Sequence, residues 1–553
     1  MYNSNCKLFK VSVFNSINEQ TINAFLNKII FLHKQIGYKT IYSSITSYKI
    51  NKKLVYKILF DYDNKGITDE AINIAYYNVF HNYNISEKSI LDLKHFYKIY
   101  KYSNVKYIEH LCLFNNIPYL LRDDTNIQIG WGINQLNTKD LLSSLYTNNK
   151  IKNNGRIPII SVTGTNGKTT TTTLCAFILR GVYKNVGKTT TNGVYINDRK
   201  LEHGDCAGSQ SAEKLLTDSS IDACSFETAL GGIRSGGLAY HCANVGVLTN
   251  IGKGDHISTS CISKSIEDTI TVKMTVINYV LPYGYAVINA EDQHINYIFE
   301  KLIHQKVFLF STSKQNIYIK QSIKQGKPVI YYEAPNIIYL YQHKRFIFKT
   351  VDIPILQDAP IFQVENVMAS IAAAVVLNIP ENIIKRQLSL YENTCLNNPG
   401  RMNKIKYGNT DIIIDYAHNT DSIHNICSYV SSVQDKYAKK ITMFGAAGDR
   451  DETIIKDMTN SLYQTFDMTV LFVDNGTLRG KTRNELMNLM KVGISNTLTS
   501  SSNTKVVKYH YNEINAINDA FQAISKSNTD LLILLVDDVD KSIKYIMKTF
   551  IEL

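Results

Sequence analysis

The 553-residue sequence predicts an α/β fold built on parallel sheets, behind a smaller α+β block. Three observations carry that prediction. Apolar runs such as "IPIISV", "IDACSFE", "NVGVLTN", "GYAVINA" and "KVFLFS" lack strict polar alternation, as strands covered on both faces do. Helix-length stretches separate them. The first run feeds into "TGTNGKTT", a glycine turn opening a threonine-rich helix.

The length suits about three domains of roughly 150 residues each, and three blocks are legible. The first, residues 1–150, alternates strand-like "LFKVSVF" and "KLVYKILFDYD" with helix-like "ITDEAINIAYYNVFHNYN", and ends in the polar linker-like "SLYTNNKIKNNGR". The second, 151–398, holds the five runs above. From Tyr318 to Leu356 it turns β-rich and tyrosine-rich, which predicts a small antiparallel excursion, and "VENVMASIAAAVVL" then reads as a buried helix. The third, 399–553, opens at the turn "NNPGR", a hinge signal, and repeats the rhythm in "TDIIIDYA", "KKITMFGAAG", "MTVLFVDN" and "TDLLILLVDDV".

Composition narrows the function classes. No run approaches the roughly 20 apolar residues that span a bilayer, and the start lacks a basic-then-apolar signal pattern, so a cytoplasmic protein without membrane attachment is expected. The nine cysteines form no Cys-x-x-Cys pair, which argues against structural zinc and for free thiols. A net charge of +12 without an arginine-rich run or RNA-binding aromatic signature points to anionic small substrates rather than nucleic acid.

The loop itself is a phosphate cradle. Gly164 and Gly167 let backbone approach phosphate oxygens, and Thr165 and Asn166 lie between them. The helix start offers N–H groups and a positive dipole end. Lys168 reaches outer phosphates, the Thr169 hydroxyl suits Mg2+, and Thr170 follows in the first turn. The motor and GTPase form needs glycine at 162, where this chain has Val162. The acidic strand end a motor would use, Asp537 and Asp538, lies more than three hundred residues away and reads as the last strand of the third block.

"TGTNGKTT" resembles the loop of the Mur ligase family. The likeness continues in order through "VGKTTTNGVYIN", "GDCAGSQSAEKLL", "FETALGGIRSGGLAY", "NVGVLTNIGKGDHI", "IEDTITVK", "AVINAEDQ", "FQVENVMASIAAA", "NPGRMN" and "IIIDYAHN", a series that resembles the cyanophycin synthetase branch. "GAAGDRD" and "LRGKTRNEL" extend it. The first block resembles that branch's N-terminal domain, more weakly, in "VYKILFDYDNKGITDEAINIAYYNV" and "CLFNNIPYLLRDDTNIQIGWGINQ". In that branch an ATP-grasp domain follows this point, whereas here only 27 residues separate "GWGINQ" from "TGTNGKTT".

The resemblance implies a Mur ligase P-loop central domain with a parallel sheet, a Rossmann-like C-terminal domain and a small α+β N-terminal domain. It implies an ADP-forming amide ligase using ATP and Mg2+. Such an enzyme joins an amino acid, arginine or lysine among the candidates, to a carboxylate of a peptide or poly-amino-acid acceptor through an acyl phosphate. The alternatives are a poly-γ-glutamate-type ligase and a non-catalytic partner of a separate ATP-grasp protein; a homo-oligomer also fits.

The resemblance assigns residues too. Lys168 is catalytic, with Glu227, His256 and Lys273 as Mg2+ ligands beside Thr169, Lys273 as a carbamate. Asn289, Asp292 and Asn366 lie near the nucleotide; an Asn opening a helix is equally a cap. Arg401 contacts ATP phosphate from the third block, Asp415 holds the ribose, and His418 lies beside it. Thr189, Thr190 and Thr191 lie near the acceptor, and "GAAGDRD" and "LRGK" shape the amino-acid site. Leu230 and Arg234 depart from the family pattern, which touches substrate specificity more than ATP chemistry. Because these residues come from two blocks, the nucleotide is expected between domains.

Overall fold

A computed structural model describes residues 6–12, 18–38, 43–50, 53–61, 65–91, 93–94, 104–122, 126–137, 152–252, 265–495 and 505–551. The chain divides into two compact units, Met1–Ile129 with Leu136–Asn154, and Gly130–Gln135 with Gly155–Leu553.

The first unit is α+β. Strands β1 (Cys6–Ser12), β2 (Ser43–Ile50) and β3 (Lys53–Asp61) form an antiparallel sheet in the order β1-β3-β2. Helix α1 (Glu19–Gln35) starts where Asn18 Oδ1 accepts from the Thr21 N–H at 2.9 Å. Its apolar residues Ile22, Phe25, Ile29 and Leu32 recur at helical spacing and pack with Ile58 of β3 and with Ala71 and Ala75 of α2 (Lys65–His81). Helix α3 (Asn104–Phe114) leads to the hairpin β4 (Tyr119–Leu121) and β5 (Ile127–Ile129).

The second unit carries two sheets. In the first, among the described residues, seven strands run parallel in the order β14-β13-β12-β11-β6-β10-β7. They are β6 (Ile159–Thr163), β7 (Val186–Thr190), β10 (Ala223–Glu227), β11 (Ala243–Leu248), β12 (Val280–Asn289), β13 (Lys306–Ser311) and β14 (Val329–Glu333). Antiparallel strands extend both edges: β8 (Gly193–Ile196) and β9 (Arg199–His203) beyond β7, and β15 (Asn336–Tyr341) and β16 (Lys344–Lys349) beyond β14. Helix α4 (Lys168–Leu179) packs against α6 (Ile361–Val376), and residues of both join one core with β6, β11 and β13. Helix α5 (Ile266–Asn278) packs against β11 and β12.

One expectation needs correction. The tyrosine-rich stretch from Tyr318 is not antiparallel throughout. Ile317–Lys324 is a helix, because Asn316 Oδ1 caps it by accepting from the N–H groups of Tyr318 and Ile319. Strand β14 then joins the parallel set, leaving only β15 and β16 antiparallel within that stretch.

The second sheet has the order β17-β18-β22-β19-β20-β21 and is parallel apart from the β17–β18 pair. Its strands are β17 (Asn403–Tyr407), β18 (Thr410–Asp415), β19 (Lys439–Phe444), β20 (Met468–Phe472), β21 (Val506–His510) and β22 (Asp530–Leu535). Helix α7 (Thr420–Val433) follows β18, and α8 (Val539–Ile546) follows β22. Among the described residues no helix is long and apolar enough to cross a membrane.

Candidate active site

The phosphate loop leaves the carboxyl end of β6, where an open parallel sheet delivers its ligands. Two glycines are forced there. Gly164 has φ +147°, and a Cβ on it would lie 1.9 Å from Thr249 Oγ1; Gly167 has φ +81°, and a Cβ would lie 2.2 Å from Asn366 Oδ1. Gly167 is the N-cap of α4 and supplies no side-chain cap, so the helix start is left to a ligand.

The adjacent strand holds the loop in shape. After β11, Asn250 accepts from the Thr165 N–H at its carbonyl (2.8 Å) and from the Asn166 N–H at Oδ1 (2.9 Å). The Thr249 hydroxyl donates to the Asn166 carbonyl at 2.6 Å. The Lys168 ammonium folds back to the Thr165 carbonyl at 2.7 Å.

A polar chain then crosses to the second sheet's domain. Thr169 Oγ1 donates to Glu227 Oε2 at 2.9 Å, and the Thr191 N–H donates to the same oxygen at 3.2 Å. Arg401 Nη2 donates to the hydroxyls of Thr169 (3.1 Å) and Thr191 (3.3 Å). Asn166 and Asn419 exchange amide hydrogen bonds at 2.8 and 3.3 Å. Asn398 Nδ2 donates to Thr170 Oγ1 at 3.2 Å. The structure thus brings together the loop, Glu227 at the end of β10, and Arg401 from the third block.

Other expected residues flank this chain. Lys273 on α5 is 1% exposed, and its Nζ donates to Thr165 Oγ1 at 3.1 Å. Asp292 accepts from the N–H groups of Ile251 (2.6 Å) and His294 (2.8 Å); burial raises its carboxyl above the usual range against those bonds and the Lys273 charge. Asn289 accepts from the Glu291 N–H, so it closes the turn after β12. Asn366 lies inside α6 rather than at its start: its Oδ1 accepts from Thr171 Oγ1 at 3.3 Å while Nδ2 donates to Gln363 Oε1. His256 lies outside the described residues.

Asp415 ends β18 and accepts from the Met402 N–H at 2.8 Å, fixing the turn that carries Arg401. Burial pushes its carboxyl up to about 6, opposed by Arg401 and by N–H groups of Met402, Ala417 and Tyr416. Burial holds His418 down to about 3, and the charges of Arg450, Arg401 and Lys168 add to this, so its ring is neutral at ordinary pH. Its Nδ1 lies 2.9 Å from the Tyr416 carbonyl. The Arg401 guanidinium sits 5.1 Å from the centre of the Tyr416 ring.

Residues 162–374 match the Mur ligase middle domain, and residues 400–536 match the Mur ligase, glutamate ligase domain. This two-domain part of the chain belongs to the Mur ligase family. It is 32% identical over 397 residues to the cyanophycin synthetase of Nostoc sp., covering 71% of this chain and 42% of that one. The chain therefore spans about two fifths of that relative's length. It is 26% identical over 352 residues to the UDP-N-acetylmuramoyl-L-alanyl-D-glutamate–2,6-diaminopimelate ligase of Alkaliphilus metalliredigens, covering 62% of this chain and 65% of that one. Crystal structure I of MurF from Acinetobacter baumannii aligns with a TM-score of 0.50 at 16% identity, covering 72% and 77%, which shows the shared fold.

Within this Mur ligase unit several contacts were invisible to sequence reasoning. Asn250 and Asn419 organise the loop from 84 and 253 positions away. Thr191 touches Glu227 and Arg401. Arg234 pairs with Asp268 at the start of α5. A trace of Asn250 was legible, since it follows the strand next to β6 in a polar "TN" pair.

For a divalent cation the donor chemistry fits. Among the described residues no group of three or more His, Cys, Asp or Glu is arranged around a metal. The Thr169 hydroxyl and Glu227 carboxylate are adjacent hard oxygens, the set Mg2+ accepts while keeping several waters.

Proposed function

We propose that the chain is an ATP-dependent amide ligase that joins an amino acid to a carboxylate of a peptide or poly-amino-acid acceptor, with ADP and phosphate as by-products. The observation that carries this is the relay Arg401–Thr169–Glu227, which links a cation of one domain to the phosphate loop and an acid of the other. A phosphoryl group at the loop would meet the Arg401 guanidinium from one domain and Lys168, with the start of α4, from the other.

A carboxylate has no good leaving group. In this reading an acceptor oxygen attacks the γ-phosphorus, the bond to the β–γ bridging oxygen breaks, and ADP leaves. The acyl phosphate is then attacked by a neutral amine, its carbon–oxygen bond breaks, and phosphate departs. Anionic oxygens must approach one another in the first step, so cations set its rate. Lys168 and Arg401 supply two of them. The loop's backbone and the start of α4 position the phosphates. Mg2+, held by Thr169 and Glu227 with His256 and a carbamylated Lys273 as further family-type ligands, would shield the transferring charge. Asp415 would orient the ribose while bracing the Arg401 turn. Excluding water between the domains protects the acyl phosphate from hydrolysis.

Likeness to cyanophycin synthetase supports arginine or lysine as the amino acid, with "GAAGDRD" and "LRGK" around it. Burial lowers the Arg479 guanidinium pKa there, but Asp449 at 3.5 Å, with Tyr416 and Asp537, raises it on balance. The short stretch between "GWGINQ" and the loop supports a chain without an ATP-grasp domain, which would extend side chains of an acceptor made elsewhere.

Incubation of the full chain with Mg-ATP, each amino acid in turn and β-aspartyl peptides tests the reading. ADP, phosphate and a product heavier by one amino-acid residue are expected. Release of AMP, or tight ATP binding without turnover on any pair, would sink it.

A further inference from the structure

We propose that a second cavity in the Mur ligase unit binds an amphipathic organic anion, one with an acidic head on an apolar body. The cavity has a volume of about 920 Å3, within the range of small-ligand sites. It opens on the last turn of α4 at Phe177 and on Arg180, which follows the helix. Phe177 lies nine residues beyond Lys168, about 13 Å along the helix from the phosphate loop. Its other walls are β7–β9, the segment from Tyr391 to Pro399, and α8 with its continuation at Met547 and Lys548. Both domains of the unit therefore contribute.

The lining has two characters. Its apolar part includes Phe177, Tyr391, Ile543 and Met547, with Leu396, 90% exposed, beside them. The charged part holds five Lys or Arg side chains against two carboxylates, Asp198 and Asp540. Arg180 takes up Asp198 with both terminal nitrogens, and Lys200 pairs with Asp540 at 3.2 Å. That leaves Lys188, Lys544 and Lys548 without an ion pair among the described residues. The Lys188 ammonium lies 4.3 Å from the centre of the Tyr195 ring, and burial, with Arg180's charge adding to it, holds it down to about 8. A bound anion would relieve that cost.

An acidic head between Lys188 and α8 would meet the ammonium groups of Lys188, Lys544 and Lys548, and an apolar body would cover Phe177 and Leu396. Because the walls come from both domains, such a ligand would tie them together independently of any nucleotide.

The test is a fluorescence titration of the full chain with 8-anilinonaphthalene-1-sulfonate, an amphipathic anion. Saturable binding is expected, weakened at least fivefold in Lys544→Glu/Lys548→Glu and about threefold in Lys188→Met. The surface pair Lys320→Glu/Lys324→Glu makes the same charge change elsewhere and should shift binding less than twofold. Neutral N-phenyl-1-naphthylamine should bind at least tenfold more weakly. Circular dichroism confirms that each variant is folded. Absence of binding, unchanged binding in both cavity variants, equal loss in the surface pair, or a neutral probe as tight as the anion would overturn the proposal.

Discussion

Arg401 reaches across 232 positions to donate from Nη2 to the Thr169 hydroxyl at 3.1 Å, placing a guanidinium of one domain on the first helical turn of another. Replacing Arg401 with Ala should lower kcat/KM for ATP by about 100- to 1,000-fold, the usual effect of losing one preorganised donor to a developing anion. Lys at this position should recover only part, since a point charge cannot reproduce a planar fork. Steady-state ADP release measures both.

Gly167→Ala meets two penalties at once, a left-handed φ of +81° and a Cβ 2.2 Å from Asn366 Oδ1. The backbone strain alone costs about 1–3 kcal/mol. Nucleotide affinity should fall at least tenfold. Adding Asn366→Ala should restore some but not all of it, because the steric conflict goes and the dihedral strain stays. Calorimetric titration with ATP resolves the two contributions.

Glu227→Gln keeps an oxygen near Thr169 but removes the charge. The Mg2+ concentration giving half-maximal ADP release should rise at least tenfold, with the fold unchanged by circular dichroism. An unaltered Mg2+ requirement would remove Glu227 from the metal site.

Asp415 has a carboxyl raised from 3.8 to about 6 in the folded chain. The folded state therefore binds this proton more tightly than the unfolded state does. Its contribution to stability is full below about pH 4 and is lost as pH rises through about 6, a change of at most ~3 kcal/mol. In urea unfolding, Asp415→Asn should become more stable relative to the natural chain across that interval and level off above it. A difference that stays flat from pH 4 to 7 would contradict the assignment.

Much of the fold was legible because its signals are local. "KVFLFS" coincides with β13 at Lys306–Ser311, since an uninterrupted apolar run of that length suits a strand covered on both faces. Lys168 and Thr169 stood out because strand, glycine turn, Lys-Thr and helix adjoin one another. The Ile317–Lys324 helix was missed because a single Asn cap outweighs the β-leaning of Ile317, Tyr318, Ile319 and Ile323. The partners of the loop were hidden for a different reason. Asn419 and Asn250 are ordinary polar residues at strand and helix ends, and only the folded topology gives them their neighbours.

The reciprocal amides of Asn166 and Asn419 have one more implication. Both groups are neutral, and water can replace either bond at little cost, each being worth about 0.5–1.5 kcal/mol net. A fastening of that strength can undo and remake itself without abandoning a naked ion in a dry interior. In the proposed reaction the same amides would act less as a weld than as a catch, strong enough to register the two halves and weak enough to let product out.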